Sequence, residues 1–120
     1  ALYTSSATLN SATTAYATNP GGGANTEVAN TGTYTAGGDP LAGQNTSIAS
    51  GVAIVDFADL SFTGVTLTAR GALIYNTSSA VTNAAVAVLN FGADKTATSG
   101  TFTIQFPAFT TAAAILRISG

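Results

Sequence analysis

The sequence predicts an all-β protein: a single antiparallel β-sandwich or barrel-like domain with an extended, loop-rich N-terminal arm. Three observations predict it. Short β-branched and aromatic runs recur from residue 51 onward between clusters of turn residues. Within those runs apolar and polar residues alternate with a period of two. Helix signals are weak throughout, because no apolar stripe of helical period is framed by capping residues.

Residues 1–50 form the expected arm with outer segments. They are mostly Ala, Thr, Asn, Ser and Gly, interrupted by Asn19-Pro20-Gly21-Gly22-Gly23 and Gly37-Gly38-Asp39-Pro40, which favour turns and irregular extended chain. The alanine-rich run 11–18 supports at most a turn or two of helix, since its threonines and the following Asn-Pro oppose more. Residues 51–120 form the expected β core, within one domain covering 1–120. Strands are predicted over 52–57, 61–62, 65–76, 85–91, 100–106 and 113–118.

In 101–106 the alternation is strict: Phe102, Ile104 and Phe106 share one face, and Thr101, Thr103 and Gln105 the other. Phe102, Ile104 and Phe106 are therefore expected to be buried together with Leu73 and Leu89. The connection 92–100 has glycine at both ends and the adjacent opposite charges Asp94 and Lys95, so 85–106 reads as a long-looped hairpin. In 65–75, alternation places Val65, Leu67, Ala69, Gly71, Leu73 and Tyr75 on one face and Thr66, Thr68, Arg70, Ala72 and Ile74 on the other. Arg70 thus lies on the polar face, with Asp56 or Asp59 as expected partners across neighbouring strands.

Charge is sparse. Lys and Arg total 3, Asp and Glu total 5, and charged residues are 7% of the chain, against about 25% in ordinary soluble domains. So few cations cannot neutralise a run of phosphates, which argues against a nucleic-acid partner. The apolar runs are far shorter than the roughly 18 residues of a membrane-spanning helix, and no membrane partner is expected. The opening Ala-Leu-Tyr-Thr-Ser-Ser has neither the basic n-region nor the apolar h-region of a signal peptide.

The same counts remove most catalytic chemistry. With no cysteine there is no thiol nucleophile, disulfide scaffold or zinc ribbon, and with no histidine a Ser-His-Asp arrangement cannot be assembled. Asp56 and Asp59 are the closest carboxylate pair and would suit acid-base or calcium chemistry if they converged. Three residues apart in extended chain they point to opposite faces, and strand-end acids are the simpler reading. The glycines at 21–23 lack the spacing and the lysine of a phosphate-binding loop. The sequons at Asn45 and Asn76 are of a kind that arises by chance in a Thr- and Asn-rich chain. No catalytic residue, metal site or cofactor is expected, and the protein is read as not an enzyme. Tyr3, Tyr16 and Tyr34 stand in the polar half, where a ring with a polar tip serves equally as an interface residue or as a tack holding the arm to the core.

Three segments carry a resemblance: GTYTAGG at 32–38, VTLTARGALIY at 65–75, and VLNFGADKTATSGTFTIQF at 88–106. In this order they resemble a family of small virion structural proteins of tailed bacteriophages, in which a "GTGYTAGG"-like segment, a "TITARYAVIY"-like strand and a "DFGxDKxSxxGxFTIQ"-like hairpin follow one another. The similarity covers most of residues 27–120. Two departures stand out: the family often begins with a helix and a strand ahead of a segment like residues 1–5, and no such helix is within this sequence, while Gly71 follows Arg70 where relatives often hold a bulky residue. The resemblance implies a capsid decoration, or cement, protein on the outer shell of a virion assembled in the host cytoplasm. Its implied partner is the major capsid protein, and its implied state a homo-oligomer, a trimer most readily. Leu2, Tyr3, Tyr16, Tyr34 and Arg70 are the candidate contact residues. A phage tail or head-to-tail connector protein is the alternative, and an extracellular adhesin or pilin-like binding module the second.

Overall fold

The computed structural model describes every residue except Phe109, Thr111, Ala112, Ala114, Ile115 and Gly120. The described residues are all-β with no helix. Six strands run in the order β1 (Leu2–Tyr3), β2 (Asn45–Ala49), β3 (Val52–Asp56), β4 (Leu60–Asn76), β5 (Ala84–Ile104) and β6 (Leu116–Ser119). They make two three-stranded antiparallel sheets, ordered β1-β4-β5 and β2-β3-β6. The chain divides into two compact units, one of Ala1–Asp39 with Phe62–Phe102 and one of Pro40–Ser61 with Thr103–Gly120.

In the first unit β4 is the central strand. Its burial alternates as its sequence does: Val65, Leu67 and Ala69 are buried while Thr66, Thr68 and Arg70 face outward. Gly71, Ala72 and Leu73 are buried in succession where β1 pairs alongside, with Leu2 opposite Ala72 and Tyr3 opposite Gly71. The alternation also changes phase once. Phe62 is buried, yet so is Val65 three residues on, and the step falls at Gly64, whose φ of 63° places it in the left-handed region. Facing it, β5 buries Ala97 and Phe102, with the step at Ser99, φ 46°. The Ser99 N–H donates to Thr66 Oγ1 at 3.0 Å. Each strand thus carries a bulge-like irregularity at the same level, and the apolar face stays inward on both sides of it.

Three expectations are corrected here. First, the stretch 92–100 is not a loop, because β5 runs unbroken from Ala84 to Ile104. Its turn-forming residues mark irregular backbone within the strand, with Gly92 at a φ of 78°, and the hairpin turn lies instead between β4 and β5. Second, the N-terminal segment is loop-rich but is not set apart as an arm. Leu2, Tyr3, Val28 and Tyr34 are buried in the first unit's core. The backbone is sewn in place by Leu73 N–H to Ala1 O, Val28 N–H to Leu2 O, Thr33 N–H to Thr63 O and Tyr16 N–H to Asn83 O, all between 2.9 and 3.0 Å. Third, the expected common core is divided. Phe102 and Leu73 are buried, but Leu89 is only half-buried, and Ile104 and Phe106 are half-buried and belong to the second unit.

The second unit contains β2, which the sequence reading left in the arm. β2 pairs with β3, and β3 with β6, both antiparallel. Of the strand expected over 113–118, Ala114 and Ile115 lie outside the described residues; β6 begins at Leu116. Ile54 on β3 is buried, Phe57 and Phe106 pack at a ring separation of 5.8 Å, and the Phe106 N–H donates to Asp59 Oδ1 at 2.8 Å.

Candidate functional site

The first unit gathers all four tyrosines of the chain around its only glutamate. Glu27 is carried beside β1 by an isolated bridge to Tyr3, and its side chain is buried. A buried carboxylate is tolerated only when donors converge on it, and three do. Tyr16 Oη donates to Oε2 at 2.8 Å, Tyr34 Oη donates to Oε1 at 3.2 Å, and the Gly37 N–H donates to Oε1. Tyr34 Oη in turn accepts the Leu2 N–H at 2.9 Å. Tyr75 Oη donates to Gly37 O at 2.6 Å, and Tyr3 Oη to Ala17 O at 2.7 Å. The rings of Tyr16 and Tyr75 stack, with centroids 4.7 Å apart and planes inclined by 20°.

Burial and this geometry move the phenols together. Burial first, then the hydrogen bond to Glu27 and its charge, push the Tyr16 hydroxyl up to about 12 from its ordinary 10.0. Burial, with the Glu27 charge behind it, also raises Tyr3, Tyr34 and Tyr75. A consequence for stability follows from linkage. Below pH 10.0 folded and unfolded chains both hold these protons, and stability is unaffected. Between 10.0 and about 12 the unfolded chain ionises first, so it binds fewer protons than the folded one and stability falls as pH rises. Following phenolate absorbance and circular dichroism together through this window should show delayed ionisation that coincides with unfolding. Independent titration of all four phenols near 10.0, with the fold intact, would contradict the burial.

The five candidate contact residues fall into two groups. Leu2, Tyr3 and Tyr34 are each only 1% exposed, so they are core residues rather than surface available to a partner. Their side chains fill the unit because β1 and the bridged residues around Glu27 bring them in from loops. Tyr16 is half-buried, and Arg70 is exposed on the polar face of β4 as its position in the strand predicts. Asp56 and Asp59, its expected partners, belong to the second unit, and Arg70 finds its partner within the first. It pairs with Asp94 on the neighbouring β5 at 3.5 Å, the two side chains being 46% and 50% exposed, an arrangement worth at most about 1 kcal/mol.

Around Arg70 the outer face of β4 and β5 is lined with hydroxyls, including Thr68 and Thr96, whose Oγ1 atoms lie 2.9 Å apart. A hollow of about 160 Å³, walled by Thr4, Ser5, Leu9, Arg70, Val88 and Asn90, opens nearby. That is below the roughly 300 Å³ at which small-molecule sites begin. Gly71 sits beside it, and a Cβ there would lie 2.6 Å from Leu89 O, so the strand leaves no room for a side chain at this position. Among the described residues no three acidic side chains come together to hold a metal ion.

The second unit offers a different surface. Opposite residues share a face in a sheet, and the register sets Ile48 of β2 opposite Ala53 of β3, and Ala53 opposite Ile118 of β6. Ile48 is 77% and Ile118 75% exposed. The outward row Ile48–Ala53–Ile118 is apolar, and every residue of β2 is exposed. Sequence reasoning missed this row because 45–49 has no charge or aromatic residue to distinguish it from loop. It missed Glu27 as well, although a single glutamate among tyrosines was the available signal. Comparison with protein-family models, with curated proteins and with solved structures gives no match to the chain.

Proposed function

We propose that this chain is a non-enzymatic structural protein of a tailed-phage virion, a capsid decoration or cement protein that bridges and stabilises neighbouring major capsid subunits as a homo-oligomer, a trimer by preference. The observation that carries the reading is the ordered run of GTYTAGG, VTLTARGALIY and FGADKTATSGTFTIQF along one short chain. The sandwich or barrel-like arrangement is part of the same proposal. In support, the protein offers a partner almost no charge and two kinds of neutral surface. One is the exposed apolar row of Ile48 and Ile118, and the other is the threonine-lined face of β4 and β5. Permanent contacts are built from such apolar area and many small hydrogen bonds.

The test is made on purified virions of the phage that encodes the chain. A decoration protein should be present at a copy number comparable with that of the shell protein, and a tail or connector protein at far fewer. Raising salt from about 0.1 to 1 M shortens the Debye length from about 10 to 3 Å and should leave the protein bound, because Arg70, Lys95 and Arg117 are its only basic side chains. Urea, which solvates apolar surface and peptide groups, should release it. Stripped shells should then lose heat resistance, since bound copies stabilise the state they bind. Release by salt alone, or stripped shells of full heat resistance, would overturn the cement role.

A further inference from the structure

We propose that Tyr16 and Tyr75 are a site of oxidative cross-linking, at which a one-electron oxidant of the haem-peroxidase class, using hydrogen peroxide, joins the two rings as dityrosine. This inference is independent of the virion reading.

Selectivity comes first from composition. The chain has no cysteine, methionine, tryptophan or histidine, so phenols are its most readily oxidised side chains. It comes next from exposure: Tyr3 and Tyr34 are enclosed, whereas Tyr16 and Tyr75 are both half-buried and can meet an oxidant. Geometry completes it. Coupling joins the ring carbons next to the hydroxyls, so two rings must lie close with their hydroxyls at the same end. Tyr16 and Tyr75 stack at 4.7 Å. Both hydroxyls lie at Gly37, where a Cβ would be 3.8 Å from that of Tyr75 and 3.9 Å from that of Tyr16. Holding the reacting groups together in this way favours coupling within one chain over coupling between chains.

Each phenol gives one electron to the oxidant and loses its hydroxyl proton. Glu27 Oε2, 2.8 Å from Tyr16 Oη, is placed to take the first of these protons; the Tyr75 hydroxyl, which donates to Gly37 O at 2.6 Å, gives its proton up to bulk solvent. The two radicals form one carbon–carbon bond between their ortho positions. The ortho hydrogens then move to the oxygens and restore both aromatic rings. Overall, two phenols and one hydrogen peroxide give one dityrosine and two waters. In a chain without cysteine, the bond would tie the N-terminal segment to the end of β4 and restrict the unfolded chain as a disulfide does.

The experiment oxidises the dilute full-length chain with a haem peroxidase and hydrogen peroxide, and in parallel with a photogenerated ruthenium oxidant small enough to reach half-buried rings. Dityrosine fluorescence should appear in the monomer, with a mass lower by two hydrogen atoms and a linked peptide pair containing residues 16 and 75. The linked protein should melt at a higher temperature. Tyr16→Phe and Tyr75→Phe should each lower the monomeric signal about tenfold or more, and Tyr3→Phe should leave it. The peptide map of the unmutated protein decides the matter even if a variant misfolds. Dityrosine confined to dimers, a linkage through Tyr3 or Tyr34, or no product with either oxidant would overturn the proposal.

Discussion

Replacing Phe62 with alanine is expected to cost about 3 to 5 kcal/mol of folding stability, the range for an aromatic ring removed from a closed core. Phe62 is 1% exposed, and its ring meets that of Tyr34 edge-on, 5.0 Å between centroids at 82°. Such a pair adds about 0.5 to 1.5 kcal/mol beyond the area it buries. The loss would not stop at the cavity. Tyr34 is positioned between Phe62 and the Glu27 carboxylate, and its hydroxyl also receives the Leu2 N–H. A loosened Tyr34 therefore weakens the acceptor on which β1 depends. Urea unfolding of the variant measures the effect, and a loss below about 1 kcal/mol would mean that the site is open enough to refill. By contrast Ile104, which the alternation of 101–106 marks equally strongly, is half-buried, and its truncation should cost less.

That contrast shows what was legible in the sequence. Alternation names the inward face of a strand correctly: Phe102 is buried between exposed Thr101 and Thr103, and Arg70 stands outward. It does not say how deep that face lies, because depth depends on what covers it. Turn chemistry misleads where a strand contains irregular backbone. Gly92 and Ser99 have the positive φ of turn residues but sit inside β5, where they adjust register without ending the strand. The N-terminal third was the least legible. Its core residues come from the two-residue strand β1, Leu2 and Tyr3, and singly from irregular chain at Val28 and Tyr34, with no period to reveal them. The Glu27 network has the same character: its members at 16, 27, 34 and 37 are joined by bonds spanning 7 to 11 residues of irregular chain, and Tyr75 reaches Gly37 across 38 residues. The tyrosines looked like interface residues for the reason that makes them good network residues: each joins a large apolar ring to one hydrogen-bonding tip.

Gly32→Ala is expected to be at least as damaging as Phe62→Ala, by a mechanism that core volume does not describe. Gly32 has a φ of 52°, in the left-handed region where a side chain is strained. A Cβ added there would collide with Thr63 O and would lie 2.5 Å from Gly64 O and 2.6 Å from Gly64 C. These are backbone atoms, so no side-chain rotation relieves the overlap. They belong to β4 at the level of its left-handed Gly64, and the residues flanking Gly32 are hydrogen-bonded to that same stretch. The Thr33 N–H donates to Thr63 O at 3.0 Å, the Thr63 N–H to Thr33 Oγ1 at 2.8 Å, and the Thr66 N–H to Thr31 Oγ1 at 3.0 Å. Making room for one methyl group means pulling residues 31–33 off β4 and giving up several of these bonds, each worth about 0.5 to 1.5 kcal/mol, in addition to the conformational strain. The variant should therefore unfold at markedly lower urea, by about 3 kcal/mol or more on this count, with Tyr34 more exposed to quenchers. A loss under about 1 kcal/mol would show that the 31–34 segment is not anchored on β4 as described.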